Sequence, residues 1–593
     1  MRNNVPLLLP KSPVMEYCSD QTQETTDINT GHEATNNSST IPQQKPPKGG
    51  WNAAIFIIFV EMAERFAFYG LNGNLIMYLT NELREPTPTA AKNVNTWVGV
   101  TSLLPLFGAF VADSFLGRFK TILFASIIYC TGMSMLSLSV SVIPRQYRKA
   151  VFFVSLYTIS IGEGGHKPCV LTFAADQFGE DSLEEKKTKS SFYNWWSLGI
   201  VTGATFAIFA VIYVQDNVGW GTGFGMLAGA MAVALGVFVL GIRRYRTQFP
   251  LGSPFTAVAQ VFVAAARKWK LNEARDGNNW GLYYGNAQFE GQPNKLRTLA
   301  RTHQFRFLDK ATIINDVEAS TKVKNPWRLC SVNQVEEVKL VLRLIPIWLT
   351  CLMFPVVQTL LNTYFTKQGS TLIRTVGSSF EIPPASFQGF VTFTVLITIP
   401  IYDRVFIPIA RRFTGHPSGI TVLQRVGTGI FLSIINMIVS GLVEAKRLSV
   451  VKEYNLMDNP KATVPMRIWW LLPQYILCGL SDAFTFIGLQ ELFYDQMPDA
   501  MRSVGAAANM SITGVGNFVS NAIISAVQGI SSRHGGAEWL GDNINRAHLH
   551  YFYWLLAGLS ALNLCAYVWA ANCFVYKKVE VEEASGEHLS LTA

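Results

Sequence analysis

Long apolar segments recur along this chain, and each is able to cross about 30 Å of hydrocarbon as a helix. They begin near Asn52, Thr96, Thr121, Lys149, Ser190, Gly221, Val335, Ser386, Gly419, Ile468, Val504 and Leu549. With 49% hydrophobic and 15% charged residues, the chain is richer in apolar residues than a soluble globular protein. The pattern predicts an all-α membrane protein with twelve transmembrane helices.

A polar connection, from about Arg243 to Asn333, separates the sixth apolar segment from the seventh. Two groups of six segments are the division expected of a transporter built from two parallel halves. We therefore expect a disordered N-terminal tail at 1–48, a six-helix bundle at 49–242, a linker at 243–333, a second six-helix bundle at 334–576 and a C-terminal tail at 577–593.

The basic residues lie mainly between the apolar segments. Arg243, Arg244 and Arg246 directly follow the sixth segment, which favours a cytoplasmic linker and cytoplasmic termini. Within the linker, residues 255–269 have apolar residues at helical spacing and predict an amphipathic helix on the inner membrane face. Loop retention and anionic lipid explain the net charge of +9 better than nucleic acid does, so we expect the lipid bilayer, and no nucleic acid, as a partner of these basic residues.

Three charged residues, Glu61, Glu64 and Arg65, interrupt the first apolar segment. At spacings of three and four residues they fall on one helix face, with Glu before Arg, the order that favours pairing. A charge at mid-membrane costs at least about 2.5–3.5 kcal/mol, so it is retained when it is paired or faces a wet cavity. The cluster indicates an ion or proton path, the alternative being a static ion pair that joins two helices.

The fourth segment contains Glu163, His166 and Lys167 among glycines, just before Pro168, which we expect to kink or unwind the helix. Lys167 needs an anionic partner. If it alternates between Glu61 or Glu64 and another anion, the result is a proton-dependent switch. Glu163 and His166 are equally consistent with groups that satisfy the local backbone at the kink.

The second half offers Arg343, Asp482 and Glu491 as intramembrane charges. A carboxylate facing Lys167 and Arg65 across the two halves would clamp an anionic or zwitterionic substrate. We favour Glu491 for this role, since Asp482 is as consistent with a hydrogen-bonded packing residue. Asn194, among the aromatics of the fifth segment, is a plausible polar group of the cavity.

Several functional classes are disfavoured. The chain has no phosphate-binding glycine loop with Lys-Ser/Thr, which argues against an ATP-driven pump. Its 8 histidines and 8 cysteines are scattered without the spacing of a metal site, a disulfide framework or a nucleophile with its base. We therefore expect no cofactor, no metal and no enzymatic activity.

Several motifs together resemble a known family. Glu61-x-x-Glu64-Arg65-Phe66-x-Phe68-Tyr69 resembles the signature of proton-coupled oligopeptide transporters of the major facilitator superfamily. The stretches that resemble its other signatures are Gly108–Arg118 with Lys120-Thr121-Ile122, and Phe192-Tyr193-Asn194-Trp195-Trp196. Those that resemble its plant nitrate and peptide branch are Phe305–Ala311, Gln334–Lys339 and Phe365–Gly369.

This resemblance implies a twelve-helix major facilitator fold that couples substrate uptake to protons. It assigns proton coupling to Glu61, Glu64, Arg65 and Lys167, the substrate site to Tyr69 and Glu491, and a cytoplasmic gating loop to Asp113 and Arg118. To the substrate site we add Asn194 and Gln358 as expectations.

Departures from the family pattern affect the substrate. Peptide transporters often have an Arg where this chain has Asn72, and a tyrosine where it has Phe68. Gln358 occupies the position of a nitrate-binding His in one relative, which weakens a His-based nitrate site but leaves an anion held by Arg65 and Lys167. Thr121 aligns with a regulatory phosphothreonine and would imply a kinase partner, the alternative being a helix cap.

Two interpretations remain from the sequence. The first is a symporter of protons with nitrate, di- or tripeptides or small organic acids; the second is a sensor of the same fold that transports little. Both glutamates of the first-segment cluster are present, which favours transport. We expect a multi-pass protein of the plasma membrane or, alternatively, of the vacuolar membrane.

Overall fold

The computed structural model describes residues 49–178, 183–247, 254–269, 283, 298–299, 301–314, 325–377, 380–415, 419–497, 502–533, 539–580 and 590–592. The predicted disordered tail at 1–48 lies outside these residues.

Helices make up the part of the chain before the linker. They are α1 (Trp51–Asn72), α2 (Leu75–Met77), α3 (Thr87–Val111), α4 (Arg118–Ser141), α5 (Arg145–Ala175), α6 (Leu183–Phe206), α7 (Ile212–Asn217) and α8 (Trp220–Leu240). Wider π-helical turns at Tyr78–Glu82 and Ala112–Leu116 extend α2 and α3, and a third at Ala207–Val211 joins α6 to α7. With these joins, the helices form six long segments, which we call the first group.

The linker contains α9 (Pro254–Arg267) and a 3₁₀ turn at Arg306–Thr312. The helices that follow are α10 (Val332–Thr350), α11 (Met353–Asn362), α12 (Tyr364–Ser370), α13 (Gly389–Ile401), α14 (Ile407–Thr414), α15 (Val422–Glu453), α16 (Leu472–Gln496), α17 (Arg502–Arg533) and α18 (Leu549–Asn572). A π-helical turn at Tyr402–Phe406 joins α13 to α14, and α10 to α12 form one bent segment, so this second group also has six long segments.

Short strands occur outside the long helices: β1 (Thr298–Leu299), β2 (Leu372–Ile373), β3 (Thr375–Val376), β4 (Phe380–Glu381), β5 (Val464–Arg467), β6 (Lys578–Glu580) and β7 (Ser590–Thr592). β6 pairs antiparallel with β1 and with β7, β2 pairs parallel with β5, and β3 pairs antiparallel with β4.

Within the described residues, 9 helical stretches are long and apolar enough to cross a membrane, and the bent segment from α10 to α12, with its 51° break, is a tenth. The remaining two long segments, α1 and α5, contain the charged residues singled out in the sequence, Glu61, Glu64 and Arg65 in one and Glu163 and Lys167 in the other. The structure is thus consistent with the twelve predicted spans.

The long helices end at two opposite sides of the fold. The terminal side is the one at which α1 begins, and the distal side is the one at which α1 ends and α3 begins. One large apolar core joins both groups, with Tyr78 and Phe152 from the first and Phe365 and Tyr475 from the second. These residues lie in the distal halves of their helices.

At the terminal side the two groups have separate apolar cores. One core contains Ile57, Phe173 and Phe238 of the first group, and the other contains Leu489 and Tyr567 of the second. Because the shared core is distal and the terminal cores are separate, a cleft between the groups opens toward the terminal side.

Hydrogen bonds reinforce the distal contact. Lys92 of α3 donates to Gln528 of α17 at 3.1 Å, and Asn95 donates to Ser520 at 3.2 Å. The Lys367 ammonium of α12 donates to the Thr80 hydroxyl at 3.0 Å. These bonds hold the distal ends of the groups together.

The linker helix α9 buries its apolar face on protein. Val261, Ala264 and Ala265 pack with residues of the 3₁₀ turn and of α10. The sequence analysis placed this helix on the inner membrane face; the apolar residues instead pair with Val335 and Val338, which present a matching apolar face.

Polar contacts attach the rest of the linker to α10. The Lys339 ammonium, fully buried, pairs with Asp309 at 2.5 Å and with Glu336 at 2.8 Å. Close by, burial raises the pKa of the Cys330 thiol to about 11, which keeps that thiol protonated at neutral pH. The two plant-type motifs around Asp309 and Glu336 therefore dock the linker onto the second group.

Candidate functional site

The charged residues of α1 form one compact ion cluster. The Arg65 Nε atom lies 2.9 Å from Glu61 Oε1 and 2.7 Å from Glu64 Oε2, so one guanidinium bridges two carboxylates. Glu64 is fully buried, and the Arg65 side chain retains 14% of its exposure. The spacing of three and four residues predicted this shared face, and the helix produces it.

A second ion pair lies on α5, where Lys167 pairs with Glu163, one turn earlier on the same helix. The Lys167 ammonium also lies 4.2 Å from the centre of the Phe68 ring of α1, a cation–π contact that brings α5 and α1 together. In this conformation Lys167 thus pairs with Glu163 and not with Glu61 or Glu64, the candidates from the sequence, because Arg65 holds both α1 carboxylates.

Close helix packing positions α5. Gly162 lies against Tyr129 of α4, where a Cβ atom would come within 2.6 Å of the Tyr129 backbone nitrogen. The helix continues unbroken through Pro168 to Ala175, so it does not unwind there; the kink expected from the sequence stays a prediction. Neighbouring helices packed tightly against α5 hold this part of it in helical geometry.

Aromatic rings line the cleft beside the cluster. Phe68 stacks on Trp97 of α3 with ring centres 5.8 Å apart, and it meets Tyr69 edge-on at 5.5 Å. The Trp97 indole nitrogen donates to the Leu156 carbonyl of α5 at 3.1 Å. Phe68 therefore sits in a fixed orientation between Lys167 and the aromatic wall.

Across the cleft, the second group contributes a polar trio. The Gln358 amide of α11 donates to Asp482 of α16 at 2.8 Å, and the Cys478 thiol donates to the Gln358 carbonyl oxygen at 2.6 Å. Asp482 is near enough to the Tyr69 hydroxyl of α1 to act on it electrostatically. Asp482 is thus hydrogen-bonded within the second group, one of the two alternatives that the sequence left open for it.

Glu491 pairs with a residue of its own group and not with Lys167 or Arg65, which the sequence predicted it would face. Its carboxylate accepts from Arg425 of α15 at 3.1 Å, and Arg425 also lies 4.4 Å from the centre of the Tyr402 ring. Glu491 keeps 41% of its exposure and lies near the terminal end of α16. The separation of the terminal cores explains why it does not reach Lys167 in this conformation. The Asn194 side chain, also expected here, lies outside the described residues.

The predicted gating loop takes part in a cluster of ion pairs at the terminal side. Arg118, at the start of α4, lies 3.8 Å from Asp113 and 2.5 Å from Asp176, which follows α5. Asp176 was not predicted from the sequence, although its carboxylate directly follows α5 and could have indicated a partner for Arg118. Thr121 is 5% exposed and its hydroxyl donates to the Gly117 carbonyl at 3.0 Å, so a kinase would need α4 and α5 to separate.

Within the described residues, no group of three or more His, Cys, Asp or Glu side chains is arranged to hold a metal ion. The chemistry available to the cleft is that of paired charges, hydroxyls, amides and aromatic rings.

Known proteins match most of this chain. A profile of the POT family matches residues 119–540. Over 546 residues the chain is 57% identical to Protein NRT1/PTR FAMILY 5.4 of Arabidopsis thaliana, which covers 91% of this chain and 98% of that protein. The chain belongs to the POT family. It is also 47% identical to Protein NRT1/PTR FAMILY 5.10 of the same plant, over 91% of this chain and 95% of the relative.

Solved structures of POT family transporters share its fold. An in meso crystal structure of the transporter PepTSo is 22% identical, covers 89% of this chain and 99% of its own, and has a TM-score of 0.65. A POT family transporter in complex with 5-aminolevulinic acid is 13% identical, covers 89% and 99%, and has a TM-score of 0.61. These likenesses confirm the predicted fold class. The family match, together with the apolar helices, confirms the predicted multi-pass membrane location. The family is one of transporters, so the prediction that the chain is not an enzyme is also confirmed.

Proposed function

We propose that this POT family member is a proton-coupled symporter of small anionic or zwitterionic solutes, which it moves by alternating access. The observation that carries the proposal is the buried cluster of Glu61, Glu64 and Arg65 beside Lys167, at a cleft that opens to one side of the membrane. Intramembrane charges of this kind mark ion and proton pathways.

The bridging geometry of Arg65 links proton binding to anion binding. Both carboxylates that face its guanidinium must be charged to hold it fully, and removing a partner from a buried pair costs about 3–5 kcal/mol. A proton on Glu61 or Glu64 removes one partner without leaving a second charge unpaired. The guanidinium then has positive charge available for an anionic substrate.

The two walls of the cleft differ in charge. The first group presents Arg65 and Lys167, and the second presents Asp482 with Gln358. A zwitterion would place its anionic end on the first wall and its ammonium on Asp482. Di- and tripeptides and amino-acid-like organic acids fit this division, and nitrate would use the cationic wall alone. Tyr69 and Glu491 are assigned to the substrate site by resemblance, and Asn194 is added from its place among the fifth-segment aromatics.

The transport cycle follows from the packing. With the distal side closed, substrate and proton exchange with the terminal side. Separation of the α3 and α17 contacts on the distal side and closure of the terminal cleft would expose the same cluster to the other side, as in rigid-body rocking of two halves. We place the protein in the plasma membrane, with the vacuolar membrane as the alternative, and regard a kinase acting on Thr121 as a proposed partner.

The test is uptake and current in an expressing oocyte at external pH values of about 5.5 and about 7.5, chosen to protonate or ionise shifted carboxylates. Nitrate, a dipeptide and a small organic acid are offered separately, with uninjected cells as the control. An inward current that requires both acid and one of these solutes supports symport and names the class. Surface expression and ligand binding without current would contradict symport and favour the sensor.

A further inference from the structure

The proposed symport assigns proton coupling to α1 but leaves two buried side chains of α5 without a role. Glu163 and His166 are both fully buried and lie three residues apart, so they are neighbours on one helix face. Within the described residues, neither nitrogen of the His166 ring has a hydrogen-bond partner. The His166 ring therefore makes no hydrogen bond to the local backbone, which was one of the alternatives from the sequence.

An unpaired buried imidazole is unfavourable, because its nitrogens lose their hydrogen bonds to water. It is retained where another group binds to it during function. His166 lies beside Lys167, and Glu64 and Arg65 of α1 act on it electrostatically. A proton can bind to a ring nitrogen of His166 at this position.

Charge balance in the cluster indicates the same partner. Three carboxylates, Glu61, Glu64 and Glu163, share two cations, Arg65 and Lys167. One negative charge is left uncompensated in a buried region, and uncompensated buried charge is strongly unfavourable. One bound proton makes the cluster neutral.

Among the described residues, the helices packed around α5 add a hydroxyl group but no further charged side chain beside Glu163 and His166. α4 contributes Tyr129, whose hydroxyl has no hydrogen-bond partner among the described residues. α3 meets α5 at Leu104 and Gly108, which are uncharged. In α17, the charged residues are Arg502 and Arg533 at its two ends.

The two cations of the cluster have separate carboxylate partners. Arg65 is held by Glu61 and Glu64, and Lys167 is held by Glu163. Protons on the α1 carboxylates therefore act on Arg65 but leave the ion pair of Lys167 intact. Release of Lys167 requires a proton on α5.

We propose that Glu163 and His166 form a second proton-binding site that determines when Lys167 is available to the anionic group of the substrate; this rests on the proposed symport. A proton from water in the cleft binds a ring nitrogen of His166 and passes to the Glu163 carboxylate. The neutral carboxyl group then releases the Lys167 ammonium, which pairs with the substrate anion. When the substrate leaves, Glu163 returns the proton to His166, which releases it to water, and the ion pair of Glu163 with Lys167 forms again.

The first measurement needs no substrate. Purified full-length protein is titrated while the infrared absorption of protonated carboxyl groups is recorded, for the wild type and for Glu163→Gln and His166→Gln. Exposed residues supply matched controls, Glu381→Gln and His303→Gln. We expect Glu163→Gln to remove part of the titrating carboxyl signal and His166→Gln to move its midpoint, with no change in the controls. The same titration in both α5 variants as in the wild type would overturn the proposal.

The second measurement separates coupling from folding. In liposomes, isotope-labelled nitrate, dialanine and 5-aminolevulinic acid are offered both for uptake driven by a pH gradient and for exchange without a gradient. We expect Glu163→Gln to lower gradient-driven uptake by about tenfold or more and to keep exchange within about twofold. Glu163→Asp, which keeps the carboxylate, should recover part of the uptake, whereas a variant that merely misfolds would lose exchange as well.

The outcomes distinguish the two proposals. Wild-type protein that exchanges none of the three probes contradicts the proposed symport, and the infrared titration then still decides whether Glu163 and His166 bind a proton. Wild-type symport with unaltered pH dependence in Glu163→Gln and His166→Gln contradicts only the α5 site.

Discussion

At the scale of single residues, the energetics of the site depend on how charges are paired inside the membrane. Arg65 lies within 2.9 Å of two carboxylates, and both belong to its own helix. An ion pair within one helix can stay intact when the first and second groups of helices move apart. The cluster can therefore persist through the transport cycle and respond to protons in each conformation.

Replacing Glu64 by Gln tests the α1 cluster. The amide has nearly the shape of the carboxyl group but neither binds a proton nor carries charge, so we expect acid-stimulated uptake to be lost while folding is kept. In the wild type, uptake should rise as pH falls, because a proton must bind before Arg65 can hold substrate. Uptake at a series of pH values measures both behaviours.

The control for this prediction is Glu381→Gln, at an exposed carboxylate that pairs with Arg374 at 2.6 Å. A surface ion pair is worth about 0–1 kcal/mol, so this variant should behave as the wild type. Normal rates and a normal pH profile in Glu64→Gln would show that the α1 cluster is static.

At the scale of helices, glycines let α4 and α5 approach closely enough to orient Glu163 and Lys167. Replacing Gly162 by Ala places a Cβ atom 2.6 Å from the Tyr129 nitrogen, a distance that forces the helices apart. We expect a loss of about 1–3 kcal/mol of stability from overpacking. Thermal unfolding of the detergent-solubilised protein measures it.

Gly236 of α8 is the matched control, since a Cβ atom there meets nothing within 4 Å. Gly236→Ala should leave the melting temperature unchanged or raise it slightly, because Ala favours helix by about 1 kcal/mol over Gly. Equal melting temperatures for the two alanine variants would mean that close packing of α5 on α4 is not required.

A buried ion pair on α15 connects this helix to the distal loops. Arg447 pairs with Glu444 at 2.7 Å and donates to Asn545 at 2.7 Å and to the Ile544 carbonyl at 2.9 Å. Both charged side chains are fully buried. This arrangement anchors the loop before α18 to α15.

Arg447→Ala should destabilise the protein by about 3–5 kcal/mol, because Glu444 would remain buried without a cation. Lys446→Ala, at the exposed neighbouring position, should have little effect. The readout is the folded fraction after mild heating, followed by size-exclusion chromatography. A folded fraction for Arg447→Ala that matches Lys446→Ala would contradict the assigned structural role.

At the scale of the whole molecule, one apolar core joins the two groups on the distal side, whereas each group has its own core on the terminal side. Alternating access then requires that distal contacts break. Beside the apolar core, those contacts include hydrogen bonds such as that between Asn95 and Ser520 at 3.2 Å.

Cysteines at positions 95 and 520 test this requirement. Oxidation of the Asn95→Cys, Ser520→Cys double variant should hold the distal side closed and abolish uptake, and reduction should restore it. Each single variant is treated with the same oxidant as the control for the native cysteines. Undiminished uptake by the oxidised, cross-linked protein would show that substrate moves without distal opening.

Local sequence determined the features that depend on spacing along one helix. The apolar segments and the shared face of Glu61, Glu64 and Arg65 follow from hydrophobicity and the helical repeat. The sequence also indicated that Lys167 needs an anionic partner, but it pointed to Glu61 or Glu64 and not to Glu163. Family membership followed from short motifs. These features need no knowledge of how the segments pack.

Only the tertiary structure decided which residues meet across helices. It placed Gln358 on Asp482, gave Glu491 to Arg425, and left His166 without a hydrogen-bond partner among the described residues. Such contacts depend on the rotation and separation of helices far apart in sequence, which in turn depend on which side of the cleft is closed. A linear pattern specifies the face of each helix, but the choice of partner belongs to the packed conformation.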